Sequence, residues 1–275
     1  MNYDMDLRHD KYLKLKEQLA CFESIVIAFS GGVDSTFLLT AAHETLGEKA
    51  VAVTAAPAFV PLRELEEAAA FCRERSIRQI VIPAAELNLD DVRHNPPDRC
   101  YHCKKTIFGK ILAVASREGI AVVAEGSNVD DTGDYRPGML AIQELRIRSP
   151  LLEAGLTKQD IRDLSRELRL PTWDKPSFAC LASRFVYGEP ITDEKLRMVD
   201  RAEQLLMDLG FRQYRVRIHG NLARIELLPE ELQKAAEEEI RGIIASKLKE
   251  YGFSYVTLDL AGYRTGSMNE GLRPL

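Results

Sequence analysis

The feature that most limits what this chain can fold into is an apolar run that ends at a pair of glycines. Ile25-Val26-Ile27-Ala28-Phe29 has no polar side chain at odd or even positions. That pattern predicts a strand buried on both faces, as in a parallel sheet. Ser30-Gly31-Gly32-Val33-Asp34-Ser35-Thr36 follows, and Thr36 to Leu46 reads as a helix. The glycines let the backbone approach an anion closely and take angles denied to other residues. The helix behind them offers its first amides and the positive end of its dipole. Ser30, Ser35 and Thr36 add hydroxyl donors. Asp34 repels phosphate, so it is assigned to a magnesium ion bridging phosphates. The Gly-x-x-x-x-Gly-Lys spacing of the Walker loop is absent.

The alternation continues. Val51–Thr54, Ile80–Ile82 and Ala121–Ala124 read as further strands, with helices over Pro61–Arg75 and residues 104–118, and an opening helix over residues 10–20. Strands alternating with helices predict an α/β fold, a doubly wound and mostly parallel sheet. The pattern changes near Gly188. Thr192 caps a predicted helix, Asp193 to Leu209, with Leu196, Val199, Ala202, Leu205, Leu206 and Leu209 inward. Strands Tyr214–Ile218 and Ala223–Leu227 flank the turn His219-Gly220-Asn221. A long helix is predicted from Pro229 to about Tyr251, and a strand over Tyr255–Leu260. The division expected is a nucleotide-binding domain, 1–188, and a smaller α+β domain, 189–275.

The net charge of −5 gives no global basic field for nucleic acid or an anionic membrane, so any bound anion must be held by local groups. Met1 to Lys16 lacks the apolar core of a signal peptide, and no apolar run is long enough to span a bilayer. The expectation is a soluble, cytoplasmic protein without nucleic-acid or membrane partners.

The five cysteines are an odd number, which argues for reduced thiols rather than a disulfide framework. Cys100 and Cys103 form a C-x-x-C where a helix begins, behind the rigid Pro96-Pro97, with Lys104 and Lys105 alongside. Helix dipole and lysines favour thiolate there. With Cys180 they suit three irons of a [4Fe–4S] cluster, or a zinc completed by His102 or another ligand. The pair alone also suits a redox couple or a structural half-site. Cys72 shares a face with Leu65 and Ala69 and is read as core. Cys21, just before the first strand, is expected to pack there, and the single tryptophan, Trp173, is also assigned to packing.

The string Ser30–Thr36 matches the signature of the PP-loop ATP pyrophosphatases, which implies cleavage of ATP between its α and β phosphates and transfer of AMP. More specific strings follow in order: Arg99–Lys104, Glu125–Gly138, Pro176–Arg184, Arg215-Val216-Arg217 with His219-Gly220, and Gly262-Tyr263-Arg264 with Gly266-Ser267. Together they resemble the LarE family, the ATP-dependent sulfur insertases that make the nickel-pincer nucleotide cofactor. The resemblance implies a pyridinium-3,5-biscarboxylic acid mononucleotide as substrate. Its carboxylates would be adenylated and converted to thiocarboxylates.

For the nucleotide, the resemblance and the strand ends point to Ala28, Ser30, Gly31, Gly32, Asp34, Ser35, Thr36, Thr54, Gly126 and Asp130. For the substrate phosphate it points to Arg215, Arg217 and Arg264. Arg215 and Arg217 leave one face of their strand, for which a solvated face is the alternative reading. Cys180, Asp34, Arg184 and Glu203 are the candidates for chemistry. Arg184 is placed to steady an anion beside Cys180. Glu203 matches a family carboxylate proposed to bind metal or assist release, against the alternative of a solvated helix face. In one branch of the family a cysteine matching Cys180 gives up its own sulfur and becomes dehydroalanine. In the other, cysteines matching Cys100, Cys103 and Cys180 bind a [4Fe–4S] cluster that carries extra sulfide. All three are present, which favours the cluster and with it a sulfide or other sulfur donor; the resemblance separately implies a homo-oligomer. The rival functions are a PP-loop enzyme that thiolates tRNA, for which no basic surface is evident, an amidotransferase-type synthetase, for which no glutaminase domain is present, and a non-catalytic adenine-nucleotide sensor with a structural zinc.

Overall fold

Parallel strands cannot be joined by tight hairpins, so each strand predicted above needs a crossover to the next. In the computed structural model, which describes residues 2–133, 137–176, 179–264 and 267, the chain forms two compact units. One comprises Met1–Leu89 with Asp98–Ser177; the other comprises Asp90–Pro97 with Phe178–Leu275. Asp134, Tyr135, Arg136, Ser177, Phe178 and Gly266, which belong to the sequence motifs, lie outside the described residues.

The elements run α1 (Asn2–Ala20), β1 (Ile25–Ala28), α2 (Val33–Leu46), β2 (Ala50–Ala56), α3 (Leu62–Glu74), β3 (Gln79–Pro83) and the short α4 (Asp90–Arg93) of the second unit. Then come α5 (Arg99–Arg117), β4 (Val122–Ala124), α6 (Pro137–Glu144), α7 (Pro150–Glu153) and α8 (Lys158–Glu167). The four strands lie in the order β3-β2-β1-β4, all parallel. The apolar run of β1 is buried on both sides, as its composition demands. Ile25 and Ile27 join Leu15, Leu19, Phe37 and Leu38 in one core, while Val26 joins Val51, Phe108, Ile111 and Val123 in the other. After β1 the chain winds outward to β2 and β3, then returns to place β4 on the opposite side of β1. The carboxyl ends of β1 and β4 therefore flank a switch in winding direction, where open α/β sheets bind ligands.

The second unit continues with α9 (Asp193–Asp208), β5 (Tyr214–His219), β6 (Leu222–Leu227), α10 (Leu232–Ala236), α11 (Glu238–Glu250) and β7 (Tyr255–Leu258). Its sheet has the order β5-β6-β7, antiparallel then parallel. The Thr192 hydroxyl accepts the Lys195 amide at 3.2 Å, the predicted cap of α9. Asp90–Pro97 is fastened to this unit. Asn95 Nδ2 donates to the Val186 carbonyl at 2.7 Å, and Gly188 N–H donates to the backbone carbonyl of Asn95 at 2.9 Å.

Four local expectations need correction. The long helix over 229–251 is broken, because Glu237 takes an extended conformation (ψ 141°) between α10 and α11. The last strand ends at Leu258 rather than Leu260. Cys21 is exposed and donates its thiol to the Glu17 carbonyl at the end of α1, so it does not pack beneath β1. Trp173 is 37% exposed, with the Arg166 guanidinium 5.1 Å from its ring centre, rather than enclosed. Cys72 is core as read, and burial pushes its thiol up to about 11. Among the described residues no helix is long and apolar enough to cross a membrane.

Candidate active site

The glycine turn stands at the carboxyl end of β1. Gly31 has φ +72°, a left-handed conformation that favours glycine. A side chain there would also meet Ala68 at 3.2 Å. Gly32 precedes α2 with no side chain capping the helix, so the first amides of α2 face the turn without an intrahelical acceptor. Ser30 and Ser35 are joined through their hydroxyls at 3.1 Å, and Ser35 donates to the Gly32 carbonyl at 3.2 Å. Ser30 is exposed and Ala28 and Gly32 are half-buried, whereas Gly31, Ser35 and Thr36 are buried. The Thr36 hydroxyl has no hydrogen-bond partner among the described residues.

Asp34 is half-buried, and both its oxygens are held. Lys158 Nζ lies 2.5 Å from one and Asn128 Nδ2 lies 3.3 Å from the other. Both partners belong to the same unit, and neither is evident from the glycine string. Lys158 opens α8 next to Thr157, whose capping box with Asp160 fixes the start of that helix. Its amide also donates to Asp130 at 2.7 Å. Asp130 is thereby brought into the same group as Asp34. Gly126 lies in van der Waals contact range of the turn: a β-carbon there would stand 3.1 Å from Asp34 Cβ and from the Ser35 nitrogen. Its lack of a side chain is what lets the loop after β4 close on the PP-loop.

Thr54, on β2, is buried. Its hydroxyl donates to the Phe29 carbonyl and accepts Gln79 Nε2, both at 2.8 Å. Lys175, also missed in the sequence, donates to the Gly31 carbonyl at 3.3 Å and pairs with Glu64 at 2.7 Å and Glu67 at 2.6 Å. The unit thus gathers a bent glycine turn, hydroxyls, open helix amides, the carboxylates of Asp34, Asp130, Glu64 and Glu67, and the ammonium groups of Lys158 and Lys175 around the switch point. Such a set suits a nucleotide polyphosphate with a hard divalent cation.

Cys100 and Cys103 lie on the first turn of α5, three residues apart and so on one face. Cys100 is exposed and Cys103 is half-buried. The Lys105 ammonium is drawn instead to the Tyr101 hydroxyl at 2.7 Å and to Glu144 at 3.1 Å, which hold its proton more firmly than usual. His102 reaches Asp98 at 3.2 Å. Cys180 belongs to the second unit. Among the described residues, no three His, Cys, Asp or Glu side chains are gathered as a metal-binding group.

Within the second unit, the basic residues are not on a solvated face. Arg215 is 4% exposed and Arg217 is 6% exposed. Arg217 pairs with Glu226 at 2.9 Å and donates to the Ser267 hydroxyl at 2.9 Å and to the Ser183 carbonyl at 2.7 Å. Arg215 lies 5.3 Å from the Tyr263 ring centre. Burial, and then the Arg184 charge, push its guanidinium down to about 10. Arg264 is half-buried, 3.9 Å from Asp259, which also pairs with Arg224 at 2.8 Å. Glu203 is fully buried on the inner stripe of α9 and clasps Arg184 with both oxygens at 2.8 Å. The solvated helix face considered for Glu203 is therefore excluded. Among the described residues, the guanidinium groups of Arg184, Arg217, Arg224 and Arg264 meet the carboxylates of Glu203, Glu226 and Asp259 here, and Arg215 lies beside Arg184 and Glu203. Guanidinium suits an incoming phosphate, which it can hold with two parallel N–H donors.

No protein-family model matches the chain. It is 43% identical over 263 residues to an uncharacterized protein of Synechocystis sp., covering 95% of this chain and 98% of the relative. It is 36% identical over 263 residues to the pyridinium-3,5-bisthiocarboxylic acid mononucleotide synthase of Lactiplantibacillus plantarum, covering 95% of each. A weaker likeness, 23% over 71% of this chain and 42% of the relative, extends to a glutamine-hydrolyzing GMP synthase of Oleidesulfovibrio alaskensis, in keeping with a common PP-loop superfamily.

Proposed function

The chain belongs to the LarE family of ATP-dependent sulfur transferases, within the PP-loop superfamily, and from that premise we propose that it converts the carboxylates of a pyridinium-3,5-biscarboxylic acid mononucleotide into thiocarboxylates. A substrate carboxylate oxygen attacks the α-phosphorus of ATP, and pyrophosphate leaves. The acyl adenylate so formed has a good leaving group where the carboxylate had a poor one. A sulfur nucleophile then attacks the acyl carbon and AMP departs.

The observation that carries this reading is the Ser30–Thr36 turn at the switch point, with Asp34 in reach of Lys158 and the open amides of α2 behind it. The amides and the Ser30 hydroxyl would hold phosphate oxygens. Asp34 would hold magnesium, for which a carboxylate is the fitting donor, and the ion would neutralise charge on the leaving pyrophosphate. The buried arginines Arg215 and Arg217, with Arg264, would hold the substrate phosphate, a task that the planar guanidinium fork suits.

For sulfur, the three thiols Cys100, Cys103 and Cys180 are the donor type that [4Fe–4S] clusters take. Of the three residues, Cys100 is exposed and Cys103 and Cys180 are half-buried. Such a cluster, when bound, supplies an open iron on which sulfide is carried. The alternative donor is the Cys180 thiol itself.

The test is substrate-dependent pyrophosphate release. With magnesium, ATP and the biscarboxylate mononucleotide, AMP and pyrophosphate should form in equal amounts. Formation of ADP and phosphate, or pyrophosphate release indifferent to the substrate, would reject the reading.

A further inference from the structure

Cys180 stands at the head of a short turn, Leu181–Arg184, whose last residue folds back on its own start. The Arg184 side chain is 1% exposed. One of its terminal nitrogens donates to the Ala179 carbonyl at 2.6 Å, the Cys180 carbonyl at 3.2 Å and the Ser183 hydroxyl at 2.8 Å. The other terminal nitrogen and Nε are taken by Glu203. Glu203 has no exposed surface, and one of its oxygens also accepts the Val216 amide of β5 at 2.9 Å. A chain of contacts therefore runs from β5 through Glu203 and Arg184 to the backbone on either side of Cys180. A second tie reaches the same turn, since Arg217 of β5 donates to the Ser183 carbonyl at 2.7 Å.

A group that took part directly in chemistry, or that ligated a metal, would need an oxygen or nitrogen directed at solvent or a reactant. Glu203 accepts three strong donors while fully buried, and Arg184 spends Nε and one terminal nitrogen on Glu203 and the other terminal nitrogen on its own turn. The Arg184 charge and its hydrogen bonds hold the Glu203 carboxyl below the usual range against burial, so the pair stays ionised. We propose that Glu203 and Arg184 are positioning residues: Glu203 orients Arg184, and Arg184 holds the backbone of Ala179 to Ser183 so that the Cys180 sulfur is kept in one place. The functional consequence rests on the reading of Cys180 as the sulfur-handling residue, but the restraint itself does not.

The test reads thiol mobility, which a role in chemistry or metal binding would leave alone. Protein freed of metal by chelation and kept reduced is treated with iodoacetamide, and alkylation is followed peptide by peptide. Glu203→Gln removes the charge but keeps the shape. The paired change Arg184→Met with Glu203→Leu replaces the buried ion pair by apolar groups of similar volume, which preserves folding where a single change leaves a buried charge alone. In both proteins Cys180 should react about fivefold faster or more, because a restrained turn has become free to open locally. The exposed Cys21 serves as internal reference and should not change, and ATP affinity should stay within about twofold, since the nucleotide turn lies in the other unit. An unchanged Cys180 rate in the paired variant, with sulfur transfer lost or kept, would overturn the proposal. Because alkylation needs neither ATP nor substrate, it stands or falls separately from the sulfur-transfer reading.

Discussion

Asp34 has a lysine 2.5 Å from its carboxylate and an asparagine behind it, and no large apolar group of its own. Asp34→Ala should therefore abolish pyrophosphate release while circular dichroism and the thermal midpoint stay near wild type. Release at the normal rate by the folded variant would remove Asp34 from the site. Gly126→Ala makes a different case. The new methyl would press on Asp34 and the Ser35 amide at 3.1 Å, an overpacking that typically costs about 1–3 kcal/mol. ATP affinity should fall in that variant with little change in the α/β core, as titration and a melting curve would reveal. Asp34 was legible because it lies inside a contiguous string whose chemistry is local. Lys158 was not, because it is 124 residues away in the chain and its partner is set by how α8 packs. A weaker signal was present: Thr157 to Asp160 has the spacing of a capping box, which puts Lys158 at a helix start near the sheet's switch point. Glu203 also left a trace. Leu196, Val199, Glu203 and Leu206 follow helical spacing, so a carboxylate stands on the apolar stripe of α9 and needs a buried cation.

Among the elements, β5 carries two chemistries on opposite faces. Tyr214, Val216 and Ile218 build the core, while Arg215 and Arg217 point into a buried polar layer with Glu226 across the ladder. Arg215→Ala and Arg217→Ala should weaken binding of the mononucleotide far more than binding of ATP, as paired calorimetric titrations would show. Loss of ATP affinity alone would mean that these roles are misassigned. The same layer gives an acid sensitivity. Glu203 has a folded value below the ordinary glutamate value of 4.5, mainly against burial and through Arg184. Its contribution to stability is then fully present above about pH 4.5 and is lost as pH falls toward the depressed folded value. Replacing Arg184 and Glu203 together by Met and Leu should flatten that limb of the stability curve, measured by urea melts from pH 6 downward. Arg184→Ala alone should destabilise by about 3–5 kcal/mol, because it leaves a carboxylate buried without its partner. The shared face of Arg215 and Arg217 followed from strand alternation, but their burial did not, since it depends on Ser183, Tyr263 and Ser267 arriving from distant parts of the chain. The break at Glu237 was likewise hidden, because the residues on both sides are good helix formers and no glycine or proline marks the stop.

At the scale of the whole molecule, the nucleotide turn and the arginine layer are built in separate units, and the cysteines are divided between them: Cys100 and Cys103 in one, Cys180 in the other. If the three thiols serve one cluster, Cys100→Ala and Cys103→Ala should each lose bound iron and multiple turnover while adenylation persists. Iron and sulfide analysis after anaerobic purification checks this. Full activity in those variants, with a dehydroalanine at Cys180 after one turnover, would leave the cysteine itself as the sulfur donor. Sulfur insertion itself is read in one anaerobic reaction of the wild-type protein with ATP, magnesium, sulfide and the pyridinium-3,5-biscarboxylic acid mononucleotide, followed by mass spectrometry of the small molecules. Carboxylate oxygen should be replaced by sulfur, with one AMP and one pyrophosphate formed for each replacement. Consumption of ATP with the biscarboxylate recovered unchanged, or formation of ADP in place of AMP, would contradict the sulfur-transfer reading.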